Sequence, residues 1–262
     1  MPDRRKCHRA FLLSLVSGAL ATAGWVRAEE PLVRSVDVSA GVSHYDVGLG
    51  NANGQGLRLG LARTGDFALF FDLGREQRFG DQSLNFGVSG TRTLSGTTYG
   101  VALSSGTGEF IAPRYRFDAS VMRPFGDLQT TLSYTRLQSR SENRSDALAL
   151  GLVRWYGHWI LGAVGRAEFG NPGRTTSFSG GCSLTWYRWK EIYAGVGFDT
   201  GHVSYQILGP GRATQVDYAT KGYNATFSRW FNLNSGIKAR VDFGETSFYT
   251  VRGGTLGYFR TW

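Results

Sequence analysis

The sequence predicts an all-β fold, a single transmembrane antiparallel up-and-down β-barrel of about 14 strands, with about 12 as the alternative. Three observations predict it. Apolar residues recur with a period of two along most of the chain, which is the pattern of strands that have one apolar face. The connections between these strands alternate between short and long, and the tryptophans lie beside the short ones. Both features are typical of barrels in the outer membrane of bacteria.

The N-terminus has the residue order of a secretory signal. Residues 4–9 are rich in arginine and lysine, and residues 10–26 are apolar apart from small polar side chains. We expect cleavage between Ala28 and Glu29, which divides the chain into a signal peptide, 1–28, and a barrel domain, 29–262. An uncleaved anchor is the alternative, but the apolar run is slightly shorter than the ~20 residues that a spanning helix needs.

Charge and cysteine content exclude several classes of protein. The formal charge of +9 falls to +5 without residues 1–28, because that segment holds five basic residues and one acidic residue. The remaining basic residues form no tract, so nucleic acid is not an expected partner. Loss of Cys7 leaves Cys182 as the one cysteine, which cannot form an internal disulfide. The histidines and acids show no metal-binding spacing, so we expect no metal and no cofactor.

The strands follow from the alternation in chain order. Each predicted strand has ~10 residues, the length of a tilted membrane crossing. A soluble β-sandwich is the alternative, but it would rarely use so many strands without a helix. Residues 159–166 are ambiguous, because both of their faces are apolar. The other alternating segments are residues 36–42, 57–61, 67–73, 84–88, 99–103, 115–121, 128–134, 148–152, 178–186, 192–198, 223–227, 237–243 and 254–262.

The connections predict how the barrel is oriented. Short periplasmic turns and longer outer loops are the rule for outer-membrane barrels, and an even strand number places both termini on the periplasmic side. We therefore expect both termini in the periplasm. The short connections are residues 63–66, 94–96, 125–127, 156–158, 187–190 and 232–236, and the longer ones are 75–83, 104–113, 138–146, 202–215 and 244–253.

The tryptophans predict a ring at one membrane interface, where an apolar indole body and its polar N–H are both accommodated. In a soluble protein such rings would more often belong to the core. The residues of this predicted ring are Trp155, Trp159, Trp186, Trp189, Trp230 and Trp262.

The last strand resembles the terminal β-signal of outer-membrane barrels. Leu256, Tyr258 and Trp262 share one face, and the chain stops on the aromatic residue. Arg260 departs from that pattern, because an apolar residue is usual two places before the end. The resemblance implies that the barrel-assembly machinery is a partner through this strand.

Three segments together resemble the YaiO family of outer-membrane β-barrel proteins. They are Gly96-Thr-Thr-Tyr99 with the strand that follows it, Ile111-Ala-Pro-Arg-Tyr-Arg-Phe117, and Gly74-Arg-Glu-Gln-Arg-Phe-Gly80. The resemblance implies a location in the outer membrane of a Gram-negative envelope, with lipid and lipopolysaccharide as neighbours. It carries no catalytic motif over to this chain.

The predicted inward face carries charges of both signs. Such charges can pair and close the interior, which makes a structural barrel. They can also border a narrow aqueous path for small polar or saccharide solutes, as in a porin, with a link to envelope polysaccharide export. The predicted lumen-lining residues are Arg58, Asp72, Glu76, Arg114, Arg116, Asp118, Glu191, Asp199, Lys238, Arg240 and Asp242.

An outer-membrane enzyme is the competing class. His202 and Ser204 lie on one face of a predicted strand, with Asp199 nearby, and resemble the His-x-Ser arrangement of lipid A deacylases. Serine–histidine catalysis needs the two groups within hydrogen-bond reach and a third group that orients the imidazole. Neighbours on one strand face are ~7 Å apart, which is too far without bending. The sequence therefore favours a protein that is not an enzyme.

Overall fold

The computed structural model describes residues 31–46, 50–78, 80–108, 112–140, 143–171, 174–209, 212–247 and 249–262, with side chains for all of these except 203–218. The predicted signal peptide, with its cleavage site at Ala28 and Glu29, lies outside the described residues. Within them, no helix is both long enough and apolar enough to cross a membrane.

Fourteen antiparallel strands form one closed barrel, in which each strand pairs with its neighbours in sequence and β14 pairs with β1. The predicted fold class and the predicted 14 strands are confirmed. The strands are β1 (Val33–Tyr45), β2 (Gly50–Arg63), β3 (Phe67–Arg78), β4 (Asp81–Leu94), β5 (Thr97–Gly106), β6 (Tyr115–Phe125), β7 (Leu128–Gln138), β8 (Arg144–Tyr156), β9 (Trp159–Asn171), β10 (Thr175–Arg188), β11 (Ile192–Gly209), β12 (Arg212–Asn232), β13 (Ser235–Thr246) and β14 (Thr250–Thr261).

The seam between β1 and β14 is hydrogen-bonded along its whole length. Its ladder runs from Ser35↔Thr261 to Tyr45↔Val251. Beyond one end, the backbone N–H of Arg34 donates to the carbonyl of Trp262 at 2.9 Å, and that of Trp262 donates back at 3.0 Å. Closure therefore leaves neither the first nor the last strand with an open edge, which a chain in hydrocarbon must avoid.

The seam is fastened at its other end by one carboxylate. Asp46 accepts hydrogen bonds from the backbone N–H of Thr250 at 2.7 Å and from its hydroxyl at 2.6 Å. These bonds join the residue after β1 to the first residue of β14, so they hold the two strands together where they leave the sheet.

The apolar residues of the alternating pattern point away from the barrel axis. Val42, Phe178 and Leu256 each expose about two thirds of their surface. Among the described residues, Ser83 is the largest side chain that is fully buried, so the barrel has a wall but no packed apolar core. The outward apolar band is the surface that hydrocarbon covers in a membrane barrel.

The two ends of the barrel differ. We call the end at which Val33 and Trp262 lie the terminal end and the opposite end the far end. Every connection at the terminal end has two or three residues. In the turn between β4 and β5, Ser95 and Gly96 both have positive φ, 51° and 77°, which is the backbone of a type I′ hairpin turn.

The connections at the far end are shorter than the sequence suggested, because the strands continue through the segments that were expected to be loops. Residues 75–78 belong to β3 and residues 244–246 to β13. Of the connection between β5 and β6, the structure describes residues 107–108 and 112–114, in which Ala112 is buried and Gly108 donates its N–H to the hydroxyl of Ser83 at 3.2 Å.

The β11–β12 hairpin projects beyond the rest of the far end. β10 pairs with β11 up to Ser179↔Gly201, and β12 pairs with β13 up to Thr220↔Thr246. β11 and β12 stay paired with each other as far as Gly209↔Arg212. About eight residue pairs therefore stand free of neighbouring strands, a length of ~27 Å.

Candidate functional site

Among the side chains that the structure describes, six ion pairs lie on the inner wall of the barrel. Every pair joins a basic side chain to a carboxylate on the same inner face of the sheet. The pairs are Asp37–Lys238, Arg58–Asp72, Glu76–Arg78, Arg116–Asp118, Arg166–Glu168 and Arg240–Asp242.

Three of these pairs are built from an arginine and an acid two residues further along one strand. Residues i and i+2 point to the same face of a strand, so the two charges meet without help from the tertiary structure. The shortest nitrogen–oxygen distances are 2.8 Å for Arg116–Asp118, 3.1 Å for Arg166–Glu168 and 2.6 Å for Arg240–Asp242.

Four other charges form a ladder across strands β13, β1, β2 and β3. Lys238 on β13 reaches Asp37 on β1 at 2.5 Å by crossing β14 above Gly257, where a Cβ atom would lie 2.7 Å from the lysine Cε. Asp37 is in register with Arg58, and Arg58 bonds Asp72 at 2.6 Å. Charges of opposite sign therefore alternate along this part of the wall.

The paired charges of the lumen remain accessible. The side chains of five of the six pairs, all except Glu76–Arg78, expose between 22% and 42% of their surface. Groups that filled a closed interior would be almost fully buried. Fourteen strands spaced ~4.8 Å apart and tilted by ~40° make a cylinder about 28 Å across. The wall therefore borders a space that solvent can enter.

Four aromatic rings on the inner wall near the terminal end follow one another in contact. Tyr187 on β10 stacks on Tyr193 on β11 with ring centroids 5.6 Å apart. Tyr193 lies 5.2 Å from Trp230 on β12, which lies 4.8 Å from Phe259 on β14. We call these four residues the aromatic track.

Two of the six tryptophans predicted for the membrane interface point inward. Trp230 belongs to the aromatic track. Trp155 has the strand parity of Val153, whose register partner Gln129 is buried on the inner face. A position beside a turn determines how far along the barrel axis a residue lies, but the parity of the strand determines its face.

The other four tryptophans lie on the outer face of the barrel or at its terminal end. Trp159 and Trp186 are register partners on the outer face. Trp189, in the turn after β10, and Trp262, at the end of the chain, each expose about half of their surface.

Two predicted lumen residues lie outside the strands. Arg114 precedes β6 and is exposed. Glu191 lies in the turn between β10 and β11 and pairs with Arg188 at 3.3 Å. The prediction applied the alternation of inward and outward side chains beyond the ends of the strands. Outside a strand, that alternation no longer determines which way a side chain points.

The other predicted lumen residues lie on strands and point inward. These nine of the eleven predicted residues are Arg58, Asp72, Glu76, Arg116, Asp118, Asp199, Lys238, Arg240 and Asp242.

Four further charged side chains of the inner wall were not predicted to line the lumen, namely Asp37, Arg78, Arg166 and Glu168. The recurring Arg-x-acid spacing was a signal that could have found two of them, because it appears in Arg116-Phe-Asp118, Arg166-Ala-Glu168 and Arg240-Val-Asp242. A spacing of two on a strand brings the charges together on one face.

The residues considered for catalysis do not share one face. Asp199 points inward, in register with Gly181 and Gly222, whereas the odd spacing of three places His202 on the outer face. The side chain of Ser204 lies outside the described side chains. Among the described residues, no three histidines, cysteines or acids lie close enough together to hold a metal ion.

Comparison with known proteins supports the fold. A family model described as the YaiO membrane beta barrel domain matches residues 33–206, from β1 into β11. No curated protein sequence matches the chain.

Three similar solved structures are remote in sequence. The outer membrane protein Omp33 of Acinetobacter baumannii is 9% identical with a TM-score of 0.59, and the match covers 87% of this chain and 98% of that one. The CymD monoaromatic hydrocarbon channel is 8% identical with a TM-score of 0.59, covering 89% and 88%. An anion-selective porin from Comamonas acidovorans is 9% identical with a TM-score of 0.51, covering 88% and 99%. At these identities the likeness shows the barrel fold alone.

Proposed function

This chain belongs to the YaiO family of membrane β-barrels, and from that membership and its lumen we propose that it is a passive outer-membrane channel for small polar solutes, saccharides included. The observation that carries the proposal is the accessibility of the paired charges. Five ion pairs on the inner wall keep roughly a quarter to two fifths of their side-chain surface exposed. A barrel that serves only as a structural element would pack those groups against one another across the axis.

The pairing of the charges favours neutral polar solutes. Each basic side chain of the six pairs lies within 4 Å of a carboxylate, so the field of each pair falls off quickly with distance. A lumen of this kind offers many hydrogen-bond donors and acceptors but no large field of one sign. Sugars and other hydroxylated solutes match such a wall better than a strongly charged solute does.

The proposal orients the barrel with its terminal end in the periplasm. The two- and three-residue turns at that end support this orientation, because outer-membrane barrels keep their short turns on the periplasmic side. Lipid and lipopolysaccharide then contact the outward apolar band. The barrel-assembly machinery would recognise β14, which carries the aromatic terminus.

The proposal assigns no catalytic role to His202, Ser204 or Asp199, because Asp199 faces the lumen and His202 faces outward. An unchanged lipid A acylation pattern in cells with and without the protein is the expected result. The proposal includes a link to envelope polysaccharide export, and deletion of the gene with measurement of secreted polysaccharide tests that link.

Conductance of single molecules in planar lipid bilayers tests the channel. The folded protein should give discrete current steps that are absent with heat-denatured protein and with detergent alone. Liposome swelling in isotonic solutions of glucose and of a larger glucose oligomer should show faster entry of the smaller solute. Folded protein that gives no current above leak and no swelling would contradict the proposal.

A further inference from the structure

We propose that the aromatic track, Tyr187, Tyr193, Trp230 and Phe259, is a saccharide-binding subsite in the lumen at the terminal end. This inference deepens the proposed channel function, on which it rests. The ligand class is a neutral oligosaccharide, whose sugar rings stack on the aromatic faces while its hydroxyl groups bond the charges beside them.

The track is a continuous surface. Its rings come from β10, β11, β12 and β14, and neighbouring centroids lie 4.8 to 5.6 Å apart. His158 continues it toward the β8–β9 turn, with its ring 6.3 Å from that of Tyr187. Several sugar units of an oligomer could therefore lie along the track one after another.

A glycine on β13, the strand between Trp230 and Phe259, makes the contact of these two rings possible. Gly236 on β13 separates Trp230 from Phe259 and is in register with both. A Cβ atom at this position would lie 2.5 Å from the Cζ atom of Phe259 and 2.3 Å from the carbonyl oxygen of Arg229. The absence of a side chain lets Phe259 lean across β13 and close the track.

The direction of the rings argues for a ligand. Aromatic residues that anchor a barrel in lipid point outward, as Trp159 and Trp186 do. The four rings of the track face an interior that also carries charged, hydroxyl and glycine residues, and all four are half-buried. They keep apolar surface in contact with the aqueous lumen, and that surface is what a sugar ring can cover.

The charged ladder begins where the track ends. Phe259 is in register with Asp37, which bonds Lys238 and is itself in register with Arg58. Flat apolar rings beside carboxylates and cations are complementary to a sugar, which presents C–H groups on its faces and hydroxyl groups around its edge. A purely apolar solute would not bind to the charged side chains, and a small ion would not stack on the aromatic rings.

Equilibrium dialysis of the folded protein in a detergent without a sugar headgroup tests the subsite directly. The probes are maltohexaose and cellohexaose, two neutral glucose hexamers with different linkages, and sorbitol is the control for a hydroxylated solute without a ring. Saturable binding of at least one hexamer, with no saturable binding of sorbitol, is expected. Failure of both hexamers to bind the folded wild type would overturn the inference.

A matched pair of variants distinguishes the contribution of the inner wall to hexamer binding from that of the outer wall. Trp230→Leu removes an indole from the track and should weaken hexamer binding about fivefold, which corresponds to an aromatic stacking contact of ~1 kcal/mol. Trp159→Leu removes an indole from the lipid-facing surface and should leave the affinity unchanged. Equal weakening by both variants would overturn the inference.

Trp230 packs against two rings, so its replacement needs a check on folding. Heat-dependent migration in gels reports whether each variant forms the barrel, and Phe259→Leu, at the end of the track, serves if Trp230→Leu does not fold. Hexamer binding without conductance would support the subsite and contradict the channel. Conductance without hexamer binding would leave the channel and overturn the subsite.

Discussion

Neutralising three inward arginines should make the proposed channel select for cations. Arg116, Arg166 and Arg240 lie on β6, β9 and β13, so they are spread around the wall, and each pairs with an acid two residues further on. Replacement of all three by glutamine removes three positive charges and leaves the three carboxylates. The pairs are partly exposed, so their loss should cost the fold only ~0–1 kcal/mol each.

The size of the effect follows from the width of the barrel. With a radius of ~14 Å, side chains of this length place their charges about 10 Å from the axis. A unit charge at ~10 Å in water contributes about 0.4 kcal/mol, which salt at ~0.1 M reduces to about 0.15 kcal/mol. Three charges then enrich cations and deplete anions by about twofold each, so the ratio of cation to anion permeability should rise about fivefold.

Reversal potentials across a planar bilayer with a salt gradient measure this ratio. The effect should shrink to about 1.2-fold near ~1 M salt, where screening is nearly complete at this distance. Neutralising the partner acids Asp118, Glu168 and Asp242 should shift the ratio in the opposite direction.

The matched control is a second triple variant with the same change in net charge. Arg123, Arg154 and Arg229 lie on the outer face of β6, β8 and β12, and their replacement by glutamine should change the permeability ratio little. The reasoning would be refuted if the inner triple variant conducted with an unchanged ratio of cation to anion permeability. It would also be refuted if the outer triple variant shifted that ratio as much as the inner one.

Three further outcomes are expected. The hydrogen bond from the Thr250 hydroxyl lowers the pKa of Asp46 below its ordinary value of 3.8. A carboxylate whose pKa is lower in the folded than in the unfolded protein stabilises the fold fully when the pH is above its pKa in the unfolded protein. That stabilisation is lost as the pH falls through its pKa in the folded protein. Asp46→Asn should therefore lower the midpoint of thermal unfolding at neutral pH, and its difference from the wild type should vanish in acid. Gly236→Ala should cost about 1–3 kcal/mol of unfolding free energy, measured by urea titration in lipid vesicles. Gly165→Ala, where an added Cβ has nothing within 4 Å, should stay within ~0.5 kcal/mol of the wild type. Cys182 points outward between the apolar Ala163 and Phe198, so a water-soluble thiol reagent should label it only after unfolding; rapid labelling in intact vesicles would place this face in water.

The strands could be predicted from the sequence because lipid imposes one simple rule on each of them. Alternate residues such as Leu57, Leu59 and Leu61 must be apolar, and nothing else in the fold competes with that requirement. The requirement for alternating apolar residues ends at the edges of the membrane. Residues 75–78 continue β3 with Arg75 and Gln77 on the outer face, so they lack the apolar signal and were expected to form a loop.

The candidate site was only partly predictable, because it depends on register. The pairing of Lys238 with Asp37 crosses β14 above Gly257, and the contact of Trp230 with Phe259 crosses β13 beside Gly236. No local pattern connects residues that are two strands apart. The faces of Trp155 and Trp230 could have been found from strand parity, but only once the strand bounds were known.

The projecting β11–β12 hairpin makes the orientation of this protein easy to determine in living cells. An epitope inserted after Gly209 would stand ~27 Å clear of the last neighbouring strand, so an antibody could reach it without disturbing the wall. Staining of unpermeabilised bacteria would identify the far end as the cell surface, and staining that appears only after the envelope is opened would reverse that orientation.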